Sequence, residues 1–179
     1  EVSDRFGQSW ALDDLGVVQR LTGDYPAAES SHMQALAQFR DLGDRLGQAE
    51  ALNNLGELLS QTRTTRRARD SHSQALAIAQ EIGAPLEEAR ALEGIGRCHL
   101  HDGNPGEGGA HLRQALTIYQ RIGASDARRV KETLRDHRMT PQHNPHSLPG
   151  CEEHQLRAHL PAAMVTIATA HDSSMTLAR

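Results

Sequence analysis

The sequence predicts an all-α fold, a right-handed α-solenoid of about three helix–turn–helix repeats followed by a capping helix and an irregular C-terminal tail. Three observations predict it. Leu12, Leu15 and Gly16 return 40 residues later as Leu52, Leu55 and Gly56, and again as Leu92, Ile95 and Gly96. Ala35-Leu36 returns as Ala75-Leu76 and Ala115-Leu116, and Gly43 returns as Gly83 and Gly123. Within each period, apolar residues recur at three- and four-residue spacing, the signature of amphipathic helices. A fixed period of this size means that each unit buries its apolar face against its neighbours and leaves an extended open surface.

The first helix is expected near Asp4–Leu21, with Trp10, Leu12, Leu15 and Val18 on one broad stripe. Gly23-Asp24 breaks it, because glycine accepts the left-handed C-cap and Asp24 can cap the next helix. The second helix, near Tyr25–Leu42, carries Ala28, His32, Ala35, Leu36 and Phe39 and ends at Gly43. The second unit places helices near Asp44–Thr62 and Thr65–Ile82, and the third near Pro85–Asp102 and Pro105–Ile122. Asn104 as N-cap and Pro105 as first helical residue form a favourable start. Gly16, Gly56 and Gly96 sit mid-helix, where glycine costs about 1 kcal/mol relative to alanine. Its recurrence predicts a close approach of the partner helix that a Cβ would obstruct.

A charged half-unit near Ser125–His137, with Ala127, Val130 and Leu134, is expected to cap the array. The domain reading is therefore an array over 1–137, with repeats near 4–43, 44–83 and 84–123 and a cap at 125–137, and a low-order tail over 138–179. The tail holds Pro141, Pro145, Pro149 and Pro161, and six of the 11 histidines lie from His137 onward. Leu156, Leu160, Met164, Val165 and Ile167 could pack on the array, but disorder is the expectation. The opening Glu1–Gln8 aligns with Asp41–Gln48, which predicts the C-terminal piece of a longer protein with at least one more repeat upstream.

Composition narrows the function classes. Net charge is −4, from 19 basic and 23 acidic residues, so no strong field favours nucleic acid. Cys98 and Cys151 are the two cysteines, too few for a disulfide framework or a zinc site, and they fit a reducing, cytoplasmic setting. No apolar run reaches the roughly 18 residues that span a bilayer. Lys131 is the single lysine, and this arginine bias points to a GC-rich bacterial genome.

The repeat resembles the tetratricopeptide repeat. The matching residues are Leu12-Leu15-Gly16 with Ala28, His32 and Ala35, then Leu52-Leu55-Gly56 with Ala68, His72 and Ala75, then Leu92-Ile95-Gly96 with Gly108, Leu112 and Ala115. The unit is longer than that family's, the first-helix tyrosine is replaced by Gln19, Leu59 and His99, and the terminal proline is absent. The 40-residue variety is similar to C-terminal arrays of bacterial signalling ATPases and transcriptional regulators, a likeness carried by Arg40–Gly47 and Ala124–Val130. The resemblance implies a non-catalytic scaffold that binds a protein or peptide, or upstream domains of the same polypeptide, without cofactor, nucleic acid or membrane. It implies that first helices line the concave, peptide-binding face. That face would hold Trp10, Asp13, Val17 and Arg20, then Glu50, Asn53, Glu57 and Gln61, then Arg90, Glu93, Arg97 and His101. Trp10 would be an exposed anchor there or pack against an upstream repeat. A peptide with basic and apolar anchors would suit the acidic middle of the face. A purely structural spacer between domains is the first alternative, and a metal-binding protein built on the histidine-rich tail the second.

Other candidates read more plainly. Arg63, Arg66, Arg67 and Arg69 form a solvated turn rather than an anion site, and Arg63, where Gly23 and Gly103 stand, predicts a looser turn. Gly103–Gly109 lacks the lysine ending and preceding strand of a phosphate loop. His99, His101, His143, His146, His154 and His159, with Cys151, Glu152 and Glu153, lack zinc-site spacing. Cys98 is expected to be a small buried thiol, and His32 and His72 partly buried packing residues.

Overall fold

The computed structural model describes residues 2–139, with side chains described from 4 to 137. The expected tail, and with it Cys151 and the histidines from His143 onward, lies outside the described residues. The described helices are α1 (Val2–Leu21), α2 (Tyr25–Leu42), α3 (Arg45–Gln61), α4 (Thr65–Ile82), α5 (Pro85–His101), α6 (Pro105–Ile122) and α7 (Asp126–Met139). Each helix packs on the next. The first helices of successive repeats also touch, α1 on α3 and α3 on α5, and so form the inner layer.

Local chemistry sets the boundaries. Gly43, Gly83 and Gly123 each adopt the left-handed conformation, φ 70°, 64° and 71°, and end α2, α4 and α6. The carboxylates of Asp24 and Asp44 accept from the backbone N–H of Ala27 and Gly47. Asn104 stands at the N-cap of α6, but its side chain makes no cap bond, so Pro105 alone contributes the expected start.

The turn at Arg63 corrects the sequence expectation. Arg63 takes φ 58°, the left-handed region of Gly23 and Gly103. Its hydrogen bonds also match. Arg63 N–H donates to Ser60 O, as Gly103 N–H donates to Leu100 O. The turn is not looser, because the helices on either side fix its span; the strain is carried by Arg63 instead.

The mid-helix glycines sit at equivalent places, as their period requires. A Cβ on Gly16 would fall 2.7 Å from the His32 ring, one on Gly56 2.5 Å from the His72 ring, and one on Gly96 2.8 Å from Leu112. The side chain of the second helix thus occupies the space the glycine leaves. Ala35, Leu36, Phe39, Ala51 and Leu52 form one part of the core, and Leu92, Leu112, Ala115, Tyr119, Val130 and Leu134 another.

Repeat equivalence breaks at α1. Leu55 and Leu58 are 8% and 1% exposed, in a cluster with Ala28 of the preceding repeat. Their counterparts in α1, Leu15 and Val18, are 46% and 55% exposed. The stripe drawn from sequence through Trp10, Leu12, Leu15 and Val18 is therefore split. Trp10 and Leu12 pack inward, and Leu15 and Val18 face solvent.

Candidate functional site

A groove of about 570 Å³ opens along the first helices. Six of the residues expected on the concave face line it: Arg20 from α1, Glu57 and Gln61 from α3, and Arg90, Glu93 and Arg97 from α5. The helical period explains the grouping, since Glu57 and Arg97 hold the same place in successive repeats.

The wall is built from ion pairs that cross between repeats. Glu57 receives Arg20 at 3.2 Å and Arg90 at 3.1 Å. Arg90 also reaches Glu87 at 3.2 Å and donates to Asn54 Oδ1 at 2.6 Å. Burial opposes the charge of Arg90, but Glu87 and Glu57 outweigh it and hold the guanidinium protonated. Arg20 Nε is buried without a hydrogen-bond partner among the described residues. At the far end Arg129 donates to both oxygens of Glu93, at 2.9 and 2.8 Å, and pairs with Asp126. Tyr119 donates its hydroxyl to Glu93 at 3.1 Å, and burial followed by the Glu93 charge pushes its own ionisation up. Arg97 is exposed and enters no ion pair among the described residues.

The other expected residues stand elsewhere. Asp13 and Asn53 are buried, not displayed. Asp13 Oδ1 lies 2.6 Å from His32 Nδ1, and its Oδ2 accepts from Asn54 at 2.7 Å. Asn53 donates to the Glu87 backbone and carboxylate at 3.1 and 2.9 Å, which turns its Oδ1 toward His72 Nδ1 at 3.1 Å. These pairs are one device repeated: a polar residue on the first helix anchors a histidine on the second. His32 and His72 are accordingly fully buried, deeper than the sequence suggested. In the third repeat Leu112 replaces the histidine, and Glu93 turns to Tyr119 and Arg129. Trp10 is half-buried, its ring edge-on to Phe39 with centroids 4.9 Å apart, so it is a core contact of its own repeat. Val17 and Glu50 are half-buried. His101 is exposed and faces Thr65 and Asp102 at the turn end of its helix.

Glu50 sits among like charges. Burial first, then Glu87, push its carboxyl up to about 6, with Asp13 and Asp14 adding to Glu87 and Arg90 opposing. Burial pulls His72 down to about 4. With Asn53 Oδ1 against its Nδ1, the neutral ring carries its proton on Nδ1. Burial likewise raises the Cys98 thiol, which makes it an inert packing residue.

Sequence reasoning missed Ser60, His72, Leu86, Gly94, Asp126 and Arg129. His72 belongs to a second helix, yet it reaches the groove wall because its ring fills the space where a Cβ on Gly94 would stand. The place that Gly94 holds in α5 is held in α3 by Asn54, which lies between Asp13 and Arg90. The signal was the unmatched glycine at 94, which does not belong to the repeated set.

Comparison with known proteins agrees with this fold. Residues 4–81 match the family model described as tetratricopeptide repeat. Over those residues the sequence is that of tetratricopeptide repeats. Among solved structures it is similar to the apo form of RapI, with a TM-score of 0.67 and 18% identity over 72% of this chain and 47% of that one. It is similar to the tetratricopeptide-repeat domain of Arabidopsis FLU, with a TM-score of 0.59 and 19% identity over 65% of this chain and 98% of that domain. BtubC from P. vanneervenii gives a TM-score of 0.56 and 17% identity over 93% of this chain and 54% of that one. These likenesses establish the fold, and the chain spans about half the length of RapI and of BtubC. No curated protein matches the sequence.

Proposed function

We propose that this chain is a non-catalytic scaffold that binds a protein or peptide segment in the groove along α1, α3 and α5. The observation that carries this reading is the groove itself, open and bordered by an exposed Arg97 that enters no ion pair among the described residues, beside a wall whose other arginines already hold ion pairs. An extended peptide presents backbone and side chains along such a wall, and Arg97 offers its free charge to an acidic side chain. Leu86, exposed at the rim, offers an apolar contact. The wall's acids are held by Arg20, Arg90 and Arg129, so the preference moves from the basic anchor expected from sequence to an acidic one. The wider setting of the array, a larger bacterial regulatory or signalling protein of the cytoplasm, is supported by the Arg40–Gly47 phrase and the arginine bias.

Selection of a displayed random-peptide library on the full chain tests the proposal. Enriched peptides should carry an acidic residue and lose at least tenfold in affinity to Arg97→Glu, while Arg66→Glu on the α4 turn leaves binding unchanged. Enrichment indifferent to Arg97→Glu, or none at all, contradicts it.

A further inference from the structure

The junctions between repeats follow a size rule that can be read from three examples. At the first, Phe39 closes the second helix and Gly47, eight residues on, lies against its ring, where any Cβ would overlap the ring carbons. Gln48 completes the contact by donating its Nε2 to the Phe39 carbonyl at 3.2 Å. At the second junction both members change together: Ala79 stands in the place of Phe39, and buried Glu87 stands in the place of Gly47. At the third, buried Tyr119 stands in the first place, and Ala127, packed on the same cluster, in the second. A large residue at the first place goes with a small one at the second, and the reverse, as close packing requires.

Gly7-Gln8 repeats Gly47-Gln48 on α1. A Cβ on Gly7 would meet nothing within 4 Å among the described residues, and Gln8 turns to Asp4 of its own helix. Along the same helix Leu15 and Val18, whose counterparts Leu55 and Leu58 cluster with Ala28, are open to solvent. Two independent features of α1, a glycine with room for a ring and an exposed apolar pair, thus reproduce the surface on which α3 receives α2. We infer that α1 is a seat for the second helix of a further repeat that runs directly into it. That helix would have an aromatic residue four positions before its terminal glycine, as Phe39 stands to Gly43, and a small residue above Leu15 and Val18. A second copy of this chain does not supply it, because α2, α4 and α6 are each already covered by α3, α5 and α7. This inference concerns the end of the array and stands independently of the peptide groove.

The test extends the full chain by placing a second copy of residues 4–43 directly before Asp4, so that the added Gly43 runs into Asp4 as Gly43 runs into Asp44. Urea unfolding followed by circular dichroism should give one transition, with a higher midpoint and a steeper slope than the parent chain. Gly7→Glu at the new junction should lower that midpoint. Adding Phe39→Ala in the attached copy should recover part of the loss, reproducing the Ala79 and Glu87 pairing. In the parent chain Gly7→Glu should leave the midpoint unchanged or raise it. Two separate transitions, or an extended chain indifferent to Gly7→Glu, would overturn the inference. Self-association of the parent chain in sedimentation that Gly7→Glu abolishes would also overturn it, by giving the seat to a second copy.

Discussion

At Arg63 a side chain occupies a backbone conformation that the other repeat turns give to glycine. The strain is about 1 kcal/mol, and Arg63 enters no ion pair among the described residues that would offset it. Arg63→Gly should therefore stabilise the fold by about 1 kcal/mol, a rise in melting temperature of roughly 2–4 °C in calorimetry. Two titrating groups act in opposite directions. The folded pKa of His72, about 4, lies below its ordinary 6.5, so the unfolded chain takes up the proton first. Its contribution is complete above pH 6.5 and is lost as pH falls toward 4. The folded pKa of Glu50, about 6, lies above its ordinary 4.5, so its cost to stability grows as pH rises from 4.5 to 6 and stays constant above. Glu50→Gln should raise the melting temperature at pH 7 and leave it unchanged at pH 4. His72→Leu, which copies Leu112, should flatten the acid limb between pH 6.5 and 4. At pH 7 it should cost about 1–3 kcal/mol, because Asn53 Oδ1 loses its partner. The glycines at 16, 56 and 96 were legible because a costly residue recurred on schedule. The burial of Asp13 and Asn53 was not, since it depends on histidines arriving from another helix.

Helix boundaries were legible to within two residues, because every turn carries its own punctuation: glycine after the second helices, and aspartate, threonine, proline or asparagine at the starts. What periodicity cannot show is which of two apolar faces has a neighbour. Leu15 and Leu55 are the same residue at the same repeat position, yet one is half-exposed and the other buried. The difference lies in the helix beside them and is absent from their local sequence. Leu15→Glu should change unfolding free energy by no more than roughly 0.5 kcal/mol, whereas Leu55→Glu should cost about 3 kcal/mol or more, as burial of an unpaired charge does. Paired chemical-denaturation curves of the two variants check this. Equal losses would mean that the repeats are not packed as described.

Over the whole array, the first helices lie against one another and the second helices lie outside them, so a periodic sequence produces a polar inner wall. Half of the residues expected on the face line the groove: Arg20, Glu57, Gln61, Arg90, Glu93 and Arg97. The rest of the groove came from features that spacing does not encode. Gly94 makes room for the His72 ring, and Arg129 and Asp126 arrive from a cap helix that departs from the repeat. No helix among the described residues is long and apolar enough to cross a membrane. The central claim is that this inner wall is the binding surface. Hydrogen–deuterium exchange of the full chain, with and without a library-selected peptide at saturating concentration, tests it most directly. Protection should appear in the second half of α1 and along α3 and α5, around Arg20, Gln61 and Arg97, with α2, α4 and α6 unchanged on their outer faces. Protection confined to the outer helices, or spread evenly over the chain, would contradict the account.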